Sequence, residues 1–217
     1  MTAITWDAAG SHVFHTGVSK GVLYVFDNST NAYKDGVAWN GLKTVTESPS
    51  GAEATSIYAD NIKYLTLTSA EEFKVTIEAY TYPDEFAECD GTAQLAKGVT
   101  VGQQNRSRFA LCYSTILGND TKGDQYGELI HVVYGAVASP SEKAYATVSD
   151  SPDAIAFSWE CNTTPVAVQG MKPASLLTLD STKVDATKLK AVLDKLYGNA
   201  SGPAKLLMPN EIMALVR

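Results

Sequence analysis

Four carboxylates crowd one short stretch, "YTYPDEFAECDG" (Tyr80–Gly91): Asp84, Glu85, Glu88 and Asp90, with Cys89 among them. Acids grouped in this way suit three kinds of chemistry. Two carboxylates flanking a cleft can act as acid and base on a glycosidic bond. A ring of oxygens can hold calcium. A thiol in a charged setting can serve as a nucleophile. None of the three has its full signature here. No D-x-D-x-D-G loop is present, and closeness in sequence does not set two acids across a cleft. Cys89 reads as a small buried hydrophobe. Pro83 fits the first position of a short helical turn, with acids at the positive end of the backbone dipoles. The stretch is therefore expected to be a strand end and structural turn, its acids capping backbone groups.

The remaining reactive side chains give weaker signals. His12 and His15 form an HxxH pair, but on a strand that spacing points them to opposite faces. His131 lies in an apolar run and reads as a satisfied core histidine. Tyr80, Tyr82, Trp39 and Trp159 have the types needed for a sugar platform, although such residues more often anchor cores and interfaces. Cys89, Cys112 and Cys161 form no CxxC or CxxH pair, which argues against zinc. No GxSxG, P-loop or GxGxxG motif occurs. No catalytic residue, metal or cofactor is expected.

The chain has 217 residues, 45% hydrophobic and 19% charged, with a net charge of −7. That is a globular composition with enough length for a sizeable core. The densest basic cluster is "RSR" (Arg106, Arg108), too little for a nucleic-acid grip. The first residues lack a basic start and a long apolar run, so no signal peptide is expected. No apolar run nears the length of a membrane span. Three free thiols fit a reducing cytoplasm.

Alternation dominates the element pattern. "FKVTIEAY" sets Phe73, Val75, Ile77 and Ala79 on one face, with Lys74, Thr76, Glu78 and Tyr80 on the other. "IAFSWEC" does the same with Ile155, Phe157, Trp159 and Cys161. "VLYVF" (22–26), "YLTLT" (64–68) and "RFALCYS" (108–114) are further strands. "ELIHVVYGAVAS" (128–139) is apolar on both faces, so it is central or covered from outside its sheet. Turn signals at 118–124, 138–142 and 149–153 make the last three strands an antiparallel meander. One helix is clear: Asp185 caps "DATKLKAVLDKLYG", Leu189, Val192, Leu193 and Leu196 form a stripe, and Gly198 ends it. Residues 27–60, with Trp39, read as a long inserted loop. The apolar tail "GPAKLLMPNEIMALVR" reads as an arm that needs a partner surface.

Five segments carry a resemblance: "YADNIKYL", "IEAYTYPDEFAECDG", "RFALCYSTILGND", "GELIHVVYGAVASPSEKAYATVSDSP" and "FSWECNTTPVAV". In order and spacing they resemble the major tail (tail tube) protein of long-tailed bacteriophages with non-contractile tails, from about residue 15 to 180. The resemblance implies a structural virion protein made in the host cytoplasm, not an enzyme. Hexameric rings would stack into the tube that delivers the genome. The implied fold is mainly β, a β-sandwich or barrel with one flanking helix (about 185–197), a long inserted loop and terminal arms. It also implies one domain over 1–217, with arms at about 1–12 and 199–217, no extra immunoglobulin-like domain, and a smooth exterior. Implied partners are further copies of the chain, with tape measure, distal tail and tail terminator proteins. Double-stranded DNA would pass through without specific binding, and no membrane is involved.

On this reading Trp39, Asp60, Asn61, Tyr64, Leu206, Leu207, Met208 and Ile212 are expected at subunit interfaces, and Glu78 facing the lumen. An acidic wall would let DNA slide where a basic one would hold it. Two rivals remain: a monomeric β-sandwich that binds carbohydrate, and a hydrolase built on Asp84 and Glu88.

Overall fold

The computed structural model describes residues 4–148 and 154–217. In its first half the strands are β1 (Val13–Asp27), β2 (Ala32–Tyr33), β3 (Val37–Trp39), β4 (Leu42–Gly51), β5 (Ala54–Ala59), β6 (Ile62–Thr68) and β7 (Glu71–Ala79). A 3-10 turn at Asp84–Phe86 runs into the short helix α1 (Ala87–Asp90). Strands β8 (Ala93–Ala96), β9 (Val99–Val101), β10 (Phe109–Asn119), β11 (Gly123–Ala138), β12 (Phe157–Thr163) and β13 (Leu176–Asp180) follow. Helices α2 (Ala186–Leu196) and α3 (Pro209–Val216) come last.

The architecture is mainly β, with antiparallel pairing throughout and no closed barrel among the described residues. The main sheet runs β2-β1-β10-β11-β12-β7-β4, with β13 beside β11 and β3 beside β1. The meander β10-β11-β12 is present. The turn at 149–153 lies outside the described residues.

The apolar pattern explains the layering. In β1, Leu23 and Val25 face one core, while Val22 and Tyr24 face another. In β10, Phe109, Leu111 and Tyr113 oppose Ala110 and Cys112 in the same way. In β11, Val133 and Ala136 oppose Ile130, Val132 and Tyr134. The first core lies between these strands and the β12-β7-β4 layer, which contributes Val75, Ile77, Ala79, Trp159 and Cys161. The second is closed by α2 and α3 through Val192, Leu196, Leu207 and Ile212. Asp185 caps α2 by accepting from the Thr187 and Lys188 amides.

One bend lets β11 serve both layers. Its register against β10 slips between Val133 and Ala136, and Gly135 sits there at φ 61. Before the slip β11 pairs with β13; beyond it, residues 136–138 pair with β12. A Cβ on Gly135 would lie 2.5 Å from the Thr164 carbonyl oxygen.

Two expectations are corrected here. Residues 27–60 are not a loop: they form β2, β3 and, as β4 and β5, one arm of a long hairpin. The ladder β4·β7 continues into β5·β6 through Ala52 N to Ala70 O (3.3 Å) and Ser69 N to Glu53 O (3.0 Å). The C-terminal arm, for its part, has its partner surface in its own chain. Gly36 N donates to Ala204 O, Lys205 N to Lys195 O, and Tyr134 Oη to Leu207 O (2.9 Å), and α3 packs on α2. Gly135→Ala is expected to cost about 1–3 kcal/mol, the range for a residue forced into a disfavoured backbone region, measured by urea unfolding.

Candidate functional site

The carboxylate knot disperses in three dimensions. Asp84 and Glu85 are exposed at the start of the 3-10 turn. Glu88 is exposed and pairs with Lys34 at 3.0 Å. Asp90 alone is buried, 7% exposed. It accepts from Trp159 Nε1 at 3.0 Å and from Lys143 Nζ. The ammonium of Lys143 also lies 5.2 Å from the centre of the Tyr82 ring. Burial lowers the Lys143 pKa, but the Asp90 carboxylate outweighs it and the net shift is upward.

None of the four acids caps a backbone group with its side chain at either short element. The capping role expected for them is replaced by one lock, Asp90. Around it Phe86 and Cys89 are fully buried. Phe86 packs within 4.6 Å of Trp39 and 5.1 Å of Trp159, ring centre to ring centre. The stretch is a plug between two β layers. No group of three or more potential metal ligands occurs among the described residues.

A second polar network crosses the first core. Tyr113 Oη donates to Glu47 Oε1 at 2.5 Å, and His131 stacks on Tyr113 with ring centres 4.7 Å apart. His131 Nδ1 lies 3.0 Å from Glu47 Oε1 without the alignment of a hydrogen bond, while Nε2 meets Thr115 Oγ1 at 3.0 Å. The imidazole and the Tyr113 hydroxyl hold the Glu47 carboxyl below its ordinary range against the opposing effect of burial. This ties strand β4 to β10 and β11. The three thiols are fully buried, and burial pushes each up to about 12. None is poised as a nucleophile.

The expected interface residues fall into two groups. Trp39 is 2% exposed and donates through Nε1 to Thr81 O (2.9 Å). Leu207 and Ile212 are buried under the chain's own sheet, while Leu206 and Met208 are half-buried there. For Trp39, Leu207 and Ile212, burial within the subunit corrects the surface placement. Asp60, Asn61 and Tyr64 lie instead on an exposed hairpin, with Asp60 (φ 52) and Asn61 (φ 61) as its two-residue turn. Glu78 stands on the polar outer face of β7, 3.7 Å from Lys43.

Sequence reasoning placed a strand at 64–68 and singled out Asp60, Asn61 and Tyr64, but missed that they belong to one hairpin. Its strands β5 and β6 pair only with each other. Ile57, Tyr58, Ile62, Tyr64, Leu65 and Leu67 are 38–69% exposed on it. The signal was Asp60-Asn61 between two β-branched runs, since both residues tolerate the left-handed region a tight hairpin turn needs.

The N-terminal segment is clipped to the β10–β11 turn. His12 lies 3.3 Å from both Asp120 and Asp7, and Gly10 N donates to Asp120 Oδ2 at 3.1 Å. Ile4 and Trp6 beyond it are 74% and 78% exposed.

No protein-family profile matches this chain, and no curated protein matches it. Among solved structures it is similar to a chain of a 6-fold symmetrised cryo-EM structure of the anti-feeding prophage (AFP) baseplate. The identity is 10%, over 83% of this chain and 100% of that chain, at a TM-score of 0.38. Superposition at that level is too loose to carry a functional argument.

Asp90→Ala is expected to cost about 2–3 kcal/mol, the range for a hydrogen bond to a charged group, and Asp84→Ala less than about 0.5 kcal/mol; calorimetry of the two variants compares them. The pKa of His12 is raised by its hydrogen bond to Asp120, then by Asp7. A raised value means the clip is complete below 6.5 and is lost as pH rises through the folded value. The Gly10 amide resonance should therefore move toward its flexible-chain position with a midpoint above 6.5, and His12→Gln should abolish that titration.

Proposed function

We propose that this chain is the ring-forming subunit of a phage tail tube. One observation carries the reading. The subunit closes both of its cores with its own strands and helices, yet holds out a hairpin with six large apolar side chains in water. Exposed apolar surface of that kind marks a protein interaction site. The resemblance of five sequence segments to major tail proteins supplies the partner: further copies of the chain.

The geometry supports head-to-tail growth. A hairpin projecting from one subunit and received elsewhere on the next makes a heterologous contact. Such contacts close into rings or run on as filaments. Strand β4 pairs with β7 on one side only, and an unpaired edge is a template for a strand of a neighbouring copy. Its exposed face with β7 and β12 is polar: Lys74 pairs with Glu160 at 3.1 Å beside Thr46, Thr76 and Ser158. That wall is polar and nearly charge-balanced rather than acidic as expected; it has no basic excess to hold DNA, and Glu78 belongs to that face. The chain provides one tail-tube domain per subunit, and the tape measure, distal tail and terminator proteins cap or fill the resulting tube.

Neither rival gains an observation. Glu88 is paired with Lys34, and of the four aromatics whose types could suit a sugar platform Trp39 and Trp159 are buried, Tyr82 is half-buried and Tyr80 is exposed.

Negative-stain microscopy and sedimentation of purified protein test the proposal. Hollow rings or tubes should appear as concentration rises, and a strict monomer at every concentration would refute it. Tyr64→Asp with Leu65→Asp should block assembly and leave the melting temperature within about 2 °C, as expected for surface changes away from the core.

A further inference from the structure

Among the described residues a second hairpin also lacks a partner. Strands β8 and β9 pair there only with each other, and such a ribbon is marginal in water by itself. Leu95 is 72% and Val99 52% exposed at its end. Lys97 and Gly98 form the turn, and Gly98 takes φ 79 with nothing within 4 Å of an added Cβ. Lys97 is the only charged residue in 93–101. The base of the hairpin is fixed: Gln104 N donates to Gly91 O, Ser107 N to Glu88 O, and Arg106 Nη1 to Ala138 O (3.0 Å).

A cleft of about 720 Å³ lies where the long β4–β7 hairpin meets residues 165–176. That is within the size range of sites that bind ligands, roughly 300–1,000 Å³. Its walls include Pro49, Phe73, Pro165, Pro173 and Leu176. Two acids line it with one lysine, Lys172: Glu71, and Glu47, which already accepts from Tyr113. Ser175 also lines it, 5% exposed, and its Oγ has no hydrogen-bond partner. No residue of 93–101 from the same subunit contributes to the lining.

We infer that the β8–β9 tip of a second copy docks in this cleft. Leu95 and Val99 pack on the prolines and Phe73, and Lys97 sits by the acids at the mouth. The docking rests on the ring-and-tube reading and names one of its contacts. Charge selects the occupant among the chain's exposed apolar segments. The N-terminal arm brings Asp7 beside Trp6, and the β5–β6 tip brings both Asp60 and Lys63. Of these three segments, only the β8–β9 tip carries a cation and no acid, which fits the acidic side chains lining the cleft. Electrostatic complementarity of this kind fixes register and partner choice more than affinity.

The test joins two single-site variants, Thr100→Cys and Lys172→Cys. They are mixed, brought to assembly concentration and treated with a short bismaleimide. The native thiols are buried and do not compete. A cross-link between copies, formed only in assembled material, is the expected result. Leu95→Asp should raise the concentration needed for assembly at least tenfold with an unchanged circular dichroism spectrum. Wild-type rings without the cross-link, or with Leu95→Asp assembling normally, would overturn the docking and leave the ring reading standing. A cross-link within dilute monomers of the double variant would overturn it as well. A wild type that never assembles removes both together.

Discussion

Strands β1, β10 and β11 carry apolar side chains on both faces, and that double burial governs the rest of the molecule. A sheet of this kind cannot leave either face to water, so a layer must be recruited on each side. On one side the chain supplies β12, β7 and β4; on the other it supplies α2 and α3. The helical side is held by more than apolar contact. Tyr24 Oη donates to the Leu196 carbonyl at the end of α2, and Tyr134 Oη to Leu207 just before α3. Each phenol thus satisfies a carbonyl that would otherwise lie unpaired near the core, and burial pushes both phenol pKa values upward. Bonds of this type contribute about 1 kcal/mol net, and losing one partner costs more.

The acid-rich stretch shows how the same side chains change meaning with depth. Asp84, Glu85 and Glu88 stay at the surface, where carboxylates are cheap to solvate. Asp90, a few residues on, is carried inward by α1 and meets an indole N–H and an ammonium there. The aromatic cluster around Phe86 gives that polar contact a dry and rigid setting. Two β layers are thereby joined by a residue group that looks, in sequence, like an active site.

Much of the fold was legible in residue patterns. The alternation of 73–79 places Val75, Ile77 and Ala79 inward, as read. The two-faced run 128–139 is covered by helices from outside its own sheet, one of the two options its pattern allowed. Asp185 and Gly198 bracket α2 because capping is a local matter. What failed was long-range. Trp39 sits in a short strand between glycines, and nothing local says that Phe86 and Trp159 will close over it. The tail 203–217 is as apolar as an interface arm, and only the partner strands across the sheet show that its own subunit absorbs it. Proposed contacts between copies are the hardest to read, since their complement lies on another chain. For the hairpin around Asp60 and Asn61, sequence shows the turn and the greasy strands but not what they meet.

The bend at Gly135 and the three buried thiols differ in what they ask of their surroundings. The bend needs only sterics. The thiols need protection, and they have it: Cys89, Cys112 and Cys161 are buried, burial pushes each up to about 12, and both effects disfavour sulfenic acids and mixed disulfides. The cysteines therefore meet a glutathione-rich interior and aerated water in the same sheltered state, while the exposed Met171 thioether stays open to oxidation.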